Sequence, residues 1–358
     1  MLESIWKRIL RRRGLSPWLI PAVILWCCSR LYLLGYYLIR KSPEKAEKVS
    51  KPVVSVGNIT VGGTGKTPTV AMLARQLLDE NIGVGIVSSG YGRVEKDRAL
   101  LEPGYTMQNL PVSSTGDEVS LLAELIPEAI FSVQSRKLDA ARALAEHGEV
   151  DLIIVDDGFQ HTQLHRDVDI VTFDAAVSSQ HLHILPFGLL REPLSVLNRA
   201  DIVIFTRTSF ARELGRFKEI VERLNPDAPK YLAQFVPNEL IGRVHNRPLK
   251  FLEDKSVFLF AGVGNFKPLE QQVETLCAEL DYAWELSDHQ KYDDELLQQI
   301  NEHADRLDSD VILTTGKDWV KLGSFAFTRE IYYLAQTVDL DPGEEKLTRQ
   351  LIQKLNLT

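Results

Sequence analysis

From Leu15 to Ile39 the chain is almost continuously apolar and aromatic, with Arg30 as its single charge. A helix that spans a bilayer needs about 20 apolar residues, so the stretch is long enough to reach across one. Pro17, Pro21 and Arg30 interrupt it, while Trp18, Trp26, Tyr32, Tyr36 and Tyr37 are the kind of ring that settles at the headgroup level. The pattern predicts an interfacial anchor or a tilted insertion. A cleaved signal peptide fits less well, because the apolar stretch is broken and no clear small-residue cleavage site follows. A helix buried in the protein is the other alternative. Basic residues flank both ends, so the positive-inside rule sets no orientation.

Beyond the polar stretch Lys41–Lys51 the periodicity changes. Apolar runs of strand length recur at Val53–Val56, Val84–Val87, Ile130–Val133, Leu152–Val155, Ile170–Phe173 and Ile202–Phe205. Helical stretches such as Thr67–Glu80 and Arg136–His147 lie between several of them. Such alternation predicts an α/β fold with a mainly parallel, doubly wound sheet. Polar, turn-rich Pro237–Asp254 is expected to be a linker. A smaller α/β lobe should follow, with strands Ser256–Phe260 and Val311–Thr315 and helices near Leu269–Leu280 and Asp294–Arg306. The last helix, Gly343–Leu355, could pack on either part. The expected division is residues 1–41 as a basic, apolar N-terminal helix, 42–245 as the main core, and 246–358 as the smaller lobe.

Composition adds one asymmetry. The 358 residues carry a net charge of −8, yet residues 1–41 hold eight Lys/Arg against Glu3, a balance of +7, which leaves −15 for the remainder. An acidic body argues against a nucleic-acid-binding face, and a basic end suits an anionic membrane surface. Cys27, Cys28 and Cys277 lack metal-ligand spacing and cannot build a disulfide framework, so a reducing compartment fits best. His161, His165, His181 and His183 show no established helical spacing, and no transition-metal site is expected from them.

The main chemical signal follows the first strand: Thr60-Val61-Gly62-Gly63-Thr64-Gly65-Lys66-Thr67. The pattern G-x-x-x-x-G-K-[ST] is not fully met, because Thr60 holds the first glycine position. Gly62, Gly63 and Gly65 still allow backbone N–H groups to turn inward around phosphate oxygens, and the following helix N-terminus adds its dipole. Lys66 would reach the β- and γ-phosphates of ATP, and Thr67 would offer a hydroxyl to Mg²⁺. A second element, Leu152–Val155 followed by Asp156-Asp157, has the form of a strand tip that holds this metal. Alone, an acidic strand end would be a turn or a cap; beside the phosphate loop it becomes a metal anchor.

A P-loop core serves hydrolases, switches and kinases alike. Further blocks narrow the choice: Ser55-Val56-Gly57-Asn58-Ile59 running into the loop and Pro68 after it, Gly90-Tyr91-Gly92-Arg93, Gly116-Asp117-Glu118, Asp156-Asp157-Gly158-Phe159-Gln160-His161, Leu190-Arg191-Glu192-Pro193-Leu194, and Thr314-Thr315-Gly316-Lys317-Asp318. With them the chain resembles the tetraacyldisaccharide 4′-kinases (lipid A 4′-kinases), from the apolar helix to about Leu322. The resemblance implies ATP and Mg²⁺ as cofactors, an acylated disaccharide lipid as acceptor, and no obligatory protein partner. It implies a place on the cytoplasmic face of a Gram-negative inner membrane. It also implies that Lys66 and Thr67 bind phosphate and metal, that Asp156 and Asp157 are metal-side acids, and that Glu118 lies near metal and substrate. Asp117 is similar to the family's general base, His289 to the histidine paired with it, and Arg136 to an active-site arginine. Arg191 and Glu192 are candidate substrate contacts.

From the residues alone, Asp117 reads equally as a helix N-cap before Val119–Leu125, and His289 as a solvated loop histidine. The family usually has arginine near Ser89 and glutamate at Gly316, and Ser178–His183 is unusual for it. Two other functions remain compatible with the P-loop. One is a membrane-associated ATPase switch, although that class usually has lysine where Val61 stands; the other is a kinase of a soluble small molecule.

Overall fold

The computed structural model describes residues 19–39, 46–95, 97–264 and 266–357. The basic segment with Lys7, Arg8 and Arg11 to Arg13, together with Leu15, Pro17, Trp18, Arg40 and Lys41, lies outside the described residues. The chain forms two compact units, each discontinuous in sequence: residues 1–87, 136–234 and 339–358 in one, residues 88–135 and 235–338 in the other.

In chain order the first elements are α1 (Leu19–Ile39), β1 (Val53–Asn58), α2 (Lys66–Asp79), β2 (Val84–Ser88), β3 (Leu100–Pro103), α3 (Asp117–Leu125) and β4 (Ile130–Val133). Then come α4 (Lys137–Ala145), β5 (Leu152–Asp156), β6 (Val168–Asp174), β7 (Ile202–Thr206), α5 (Leu214–Leu224), β8 (Lys230–Gly242) and β9 (Arg247–Pro248). The rest are β10 (Ser256–Ala261), α6 (Phe266–Glu274), β11 (Glu279–Glu285), α7 (Asp294–Arg306), β12 (Val311–Thr314), β13 (Glu330–Asp341) and α8 (Glu344–Leu355).

In the first unit the strand order is β8-β7-β6-β1-β5-β2, and every pairing is parallel. Every residue of β1, β2, β5, β6 and β7 is buried, which is why these strands read as apolar runs without alternation. On one side the core gathers Phe159, Phe173, Phe205 and Phe217. Burying side chains of this size is worth about 1.5–3 kcal/mol each. The register sets Val56 of β1 opposite Asp156 of β5, so the carboxylate emerges beside the loop that leaves β1. The final helix α8 belongs to this unit: Gln350 accepts a bond from Tyr231 (3.0 Å), and Gln76 of α2 donates to Glu344 (3.3 Å).

In the second unit β11-β10-β12-β13 form a parallel sheet, and β3 pairs antiparallel with β4. Three sequence expectations change here. The helix expected over 269–280 ends at Glu274, and β11 begins five residues later. The expected linker 237–254 is in part ordered strand, since β8 runs to Gly242 and pairs with β9. Residues 88–135, expected in the core, belong to this second unit.

Among the described residues, α1 is the one helix long and apolar enough to cross a membrane, by length and composition. Its buried residues Ala22 and Ser29, with half-buried Leu25, Leu33 and Tyr36, form one narrow stripe along the helix. Ile20, Ile24, Leu31, Leu34 and Leu38 are exposed. A signal segment or a core helix passes the same length test, but a core helix would be buried all round, and this one is not. Arg30 inside the apolar stretch lies over the Trp26 ring, 4.8 Å from its centroid, which shields the charge.

Candidate active site

The loop between β1 and α2 takes its shape from glycines. Gly62 and Gly65 have φ of 101° and 79°, values that side chains with a Cβ rarely adopt. A Cβ at Gly62 or Gly63 would project into open space. Gly65 caps α2 with no side-chain bond, which leaves the first amides of the helix to a ligand. Thr60, in place of the first glycine, has no positive φ; it forms an antiparallel bridge with Leu190 and is buried. The backbone there is pinned by Val61 N–H to the Leu189 carbonyl and Arg191 N–H to the Ile59 carbonyl, both 2.8 Å. No glycine is needed at that position.

The loop is braced from beneath. Asn58 donates to the Thr64 hydroxyl at 3.0 Å, which also meets the Thr172 hydroxyl at 2.9 Å. Thr206 donates to the Thr64 carbonyl at 2.9 Å, and Arg207, paired with Asp174, donates to the Gly63 carbonyl at 3.1 Å. Pairing a buried network in this way fixes the cradle before any ligand arrives.

Lys66 lies 3.4 Å from Asp157, and Arg191 is 3.1 Å from the same carboxylate. Burial would push the Asp157 carboxyl up, but Lys66, Arg191 and Lys137 together hold it below the usual range. Asp157 itself has φ 51°. Lys137, the first residue of α4, donates to the carbonyls of Asp156 and Asp157 at 2.5 and 2.6 Å. A lysine in the first turn of a helix opposes the helix dipole, a misfit that is the sequence signal for a residue outside every motif named above. Arg136 sits at the N-cap of α4, exposed, and pairs with Asp139 at 3.4 Å. Glu192 is only 4% exposed and is bound by Arg199 at 2.7 Å.

The Thr67 hydroxyl and the Asp156 carboxylate, the latter 3% exposed, supply hard oxygen donors. Among the described residues no group of three or more His, Cys, Asp or Glu is placed to hold a metal. A few protein oxygens suit Mg²⁺, which keeps several waters and shares phosphate oxygens. Asp157 is engaged by cations and is less suited to the metal than Asp156.

His161, in the same block as Asp156, has a buried Nε2 with no hydrogen-bond partner among the described residues. Burial first, then Lys137, Arg166 and Arg136, pull its pKa down from 6.5 to about 4. The unfolded chain therefore binds this proton more readily than the folded one. The neutral histidine's contribution is whole above about pH 6.5 and is lost as the pH falls towards 4. Urea titrations should show wild type losing more stability across that window than His161→Gln; parallel losses would contradict the assignment.

The second unit carries the other candidates. Gly116 is the N-cap of α3 without any side-chain cap bond, and Asp117 is the first helical residue. The capping alternative for Asp117 therefore does not hold. Its carboxylate instead faces His289 Nδ1 at 3.4 Å and Lys321 Nζ at 3.7 Å. His289, with φ 56°, packs edge-on against Tyr91, ring centroids 6.1 Å apart. Lys321 is anchored by fully buried Asp318 at 3.1 Å, and Asp318 accepts from the Gly262 amide and the Thr315 hydroxyl. Glu118 is half-buried beside Asp117. Lys321 and the buried role of Asp318 were missed; their three-residue spacing was the available signal.

The family described as Tetraacyldisaccharide-1-P 4′-kinase (LpxK) matches residues 21–356. A tetraacyldisaccharide 4′-kinase of Pelobacter propionicus is 34% identical over 328 residues, 90% of this chain and 87% of the relative. One of Halothermothrix orenii is 35% identical over 306 residues, 81% of this chain and 79% of the relative. The crystal structure of an LpxK from Aquifex aeolicus in complex with ATP aligns with a TM-score of 0.73 at 25% identity, and covers 93% of this chain and 99% of that one. The fold is thus the mainly parallel P-loop architecture expected from the alternation of strands and helices.

Proposed function

Because the chain belongs to the tetraacyldisaccharide-1-phosphate 4′-kinase family, we propose that it moves the γ-phosphoryl group of ATP onto the 4′-hydroxyl of a tetraacyldisaccharide 1-phosphate, a lipid A precursor. The observation that carries this reading is the company the glycine cradle keeps. One chain holds Lys66 at the end of that cradle and an Asp117–His289 pair suited to a hydroxyl acceptor.

In this reading the amides of Val61 to Thr67 and the Lys66 ammonium bind the phosphates, whose charge shifts during transfer. Thr67 and Asp156 are the residues that fit Mg²⁺, with Asp157 holding Lys66 in place; the bound metal would offset charge on the β- and γ-oxygens. Asp117 accepts the proton of the sugar hydroxyl as that oxygen attacks. His289 orients the carboxylate, and Lys321 keeps a positive charge beside it. Glu118, Arg136, Arg191 and Glu192 are assigned to metal, phosphate or substrate contacts. The exposed apolar surface of α1 is assigned to the inner-membrane surface, on the cytoplasmic side where ATP is found.

Incubation with γ-labelled ATP and a membrane lipid extract tests the proposal. Label is expected in a lipid. Label released only as inorganic phosphate would favour an ATPase switch, and label in a water-soluble product a kinase of small molecules.

A further inference from the structure

The apolar helix does more than lie beside the body of its own unit. Tyr32 and Tyr36 are one helical turn apart and so share a face. They meet two consecutive residues: the Tyr32 hydroxyl donates to the Arg191 carbonyl, and the Tyr36 hydroxyl to Glu192 Oε1, both at 3.0 Å. The other oxygen of Glu192 accepts from Arg199 at 2.7 Å and from Gln160 at 3.4 Å. Gln160 also donates to the carbonyl of Asn58, the last residue before the phosphate loop, at 2.6 Å. Arg191 donates both its amide to Ile59 and its guanidinium to Asp157, whose carboxylate faces Lys66. Two short polar routes therefore join the helix to the ends of the phosphate cradle.

We propose that Tyr32 and Tyr36 are positioning residues, through which the seat of the apolar helix on the body sets the geometry of Arg191, Asp157 and Lys66. The helix presents Ile20, Ile24, Leu31, Leu34 and Leu38 outward, a surface that water penalises and lipid accepts. Its seat therefore depends on a bilayer, and the two hydroxyls carry that dependence to the site. A phenol bound to a buried carboxylate is a charge-assisted contact, among the stronger hydrogen bonds. Losing it also leaves Glu192 Oε1 without that donor in a buried place. Phosphoryl transfer is thereby favoured when the protein sits on a membrane, where its lipid acceptor is.

The proposal rests on the kinase reading for its kinetic consequence alone. The test uses the full chain bound to vesicles of mixed phosphatidylethanolamine and phosphatidylglycerol. Wild type is compared with a Tyr32→Phe, Tyr36→Phe double variant, which keeps both rings, and with Tyr37→Phe as a control. Vesicle flotation should be equal for all three. Amide hydrogen exchange across residues 57–67 and 189–192 should rise about tenfold in the double variant only. Its kcat should fall about tenfold, with the KM for lipid within about twofold of wild type. Unchanged exchange, or a change in lipid KM alone, would overturn the proposal. Exchange that responds in a protein unable to phosphorylate any lipid would sustain the coupling and sink the choice of substrate.

Discussion

Lys66→Ala is expected to lower kcat about a thousandfold, a larger loss than any other single substitution in the first unit. Lys66 stands at the end of the glycine cradle, with its side chain nearly buried and 3.4 Å from Asp157. In the resting protein this pair holds the ammonium near the strand tips. During transfer the same charge is needed on the β- and γ-oxygens, where nothing else in the loop can replace it. Arg191 and Lys137 continue to face Asp157 in the variant, so the fold should survive. Lys66→Arg should recover little, because a planar guanidinium does not fit a place shaped for a compact ammonium. Single-turnover transfer with labelled ATP, read beside nucleotide affinity from calorimetry, separates the effect on chemistry from that on binding. A fall in affinity with an unchanged chemical step would show that Lys66 only binds.

Asp117→Asn should cost about a hundredfold to ten-thousandfold in kcat, the range that a positioned general base supplies. The amide keeps the size and most hydrogen-bonding reach of the carboxylate, so His289 and Lys321 can remain near their present positions 3.4 and 3.7 Å away. What is lost, in the proposed mechanism, is the capacity to take a proton from the sugar hydroxyl. His289→Ala should cost less, about tenfold, because its proposed role is to orient the carboxylate. If the two losses multiply in the double variant, the residues act independently; as a pair they should fall well short of that product. Near-normal single-turnover rates in both variants would remove Asp117 and His289 from the chemistry.

Much of the first unit was legible because β1, β2, β5, β6 and β7 are buried throughout. Val53–Val56, Leu152–Val155, Ile170–Phe173 and Ile202–Phe205 had to be strands once they were short, apolar and separated by helical stretches. The cradle was legible for a local reason: three glycines, a lysine and a threonine in sequence carry their geometry with them. What could not be read was anything settled by distant partners. β11 has only exposed and half-buried positions, without the alternation of a half-buried strand. Its Leu280 and the preceding Leu276 mimicked the spacing of a longer helix, although both pack on the core of the second unit. The excursion of residues 88–135 into that unit left no composition boundary at either end. Lys137 acts through carbonyls, and Lys321 in part through the Asp117 carboxylate, supplied by other segments, so no motif announces them.

Gly316 stands where the resemblance leads one to expect glutamate, and its surroundings are close on one side. A Cβ there would come within 2.9 Å of Leu121 Cδ1 and 3.5 Å of the Tyr333 ring. The glycine lets the helical turn Gly316–Trp319 lie close against α3, the helix that begins with Asp117. Nothing in the structure explains Ser89 in the same way.

The claim that the chain phosphorylates an acylated sugar is tested most directly by mass spectrometry of the lipid after reaction with purified tetraacyldisaccharide 1-phosphate, ATP and Mg²⁺. One added phosphate, located on the 4′-hydroxyl of the distal sugar, is the result expected here. Recovery of the lipid unchanged while ATP is consumed would contradict it.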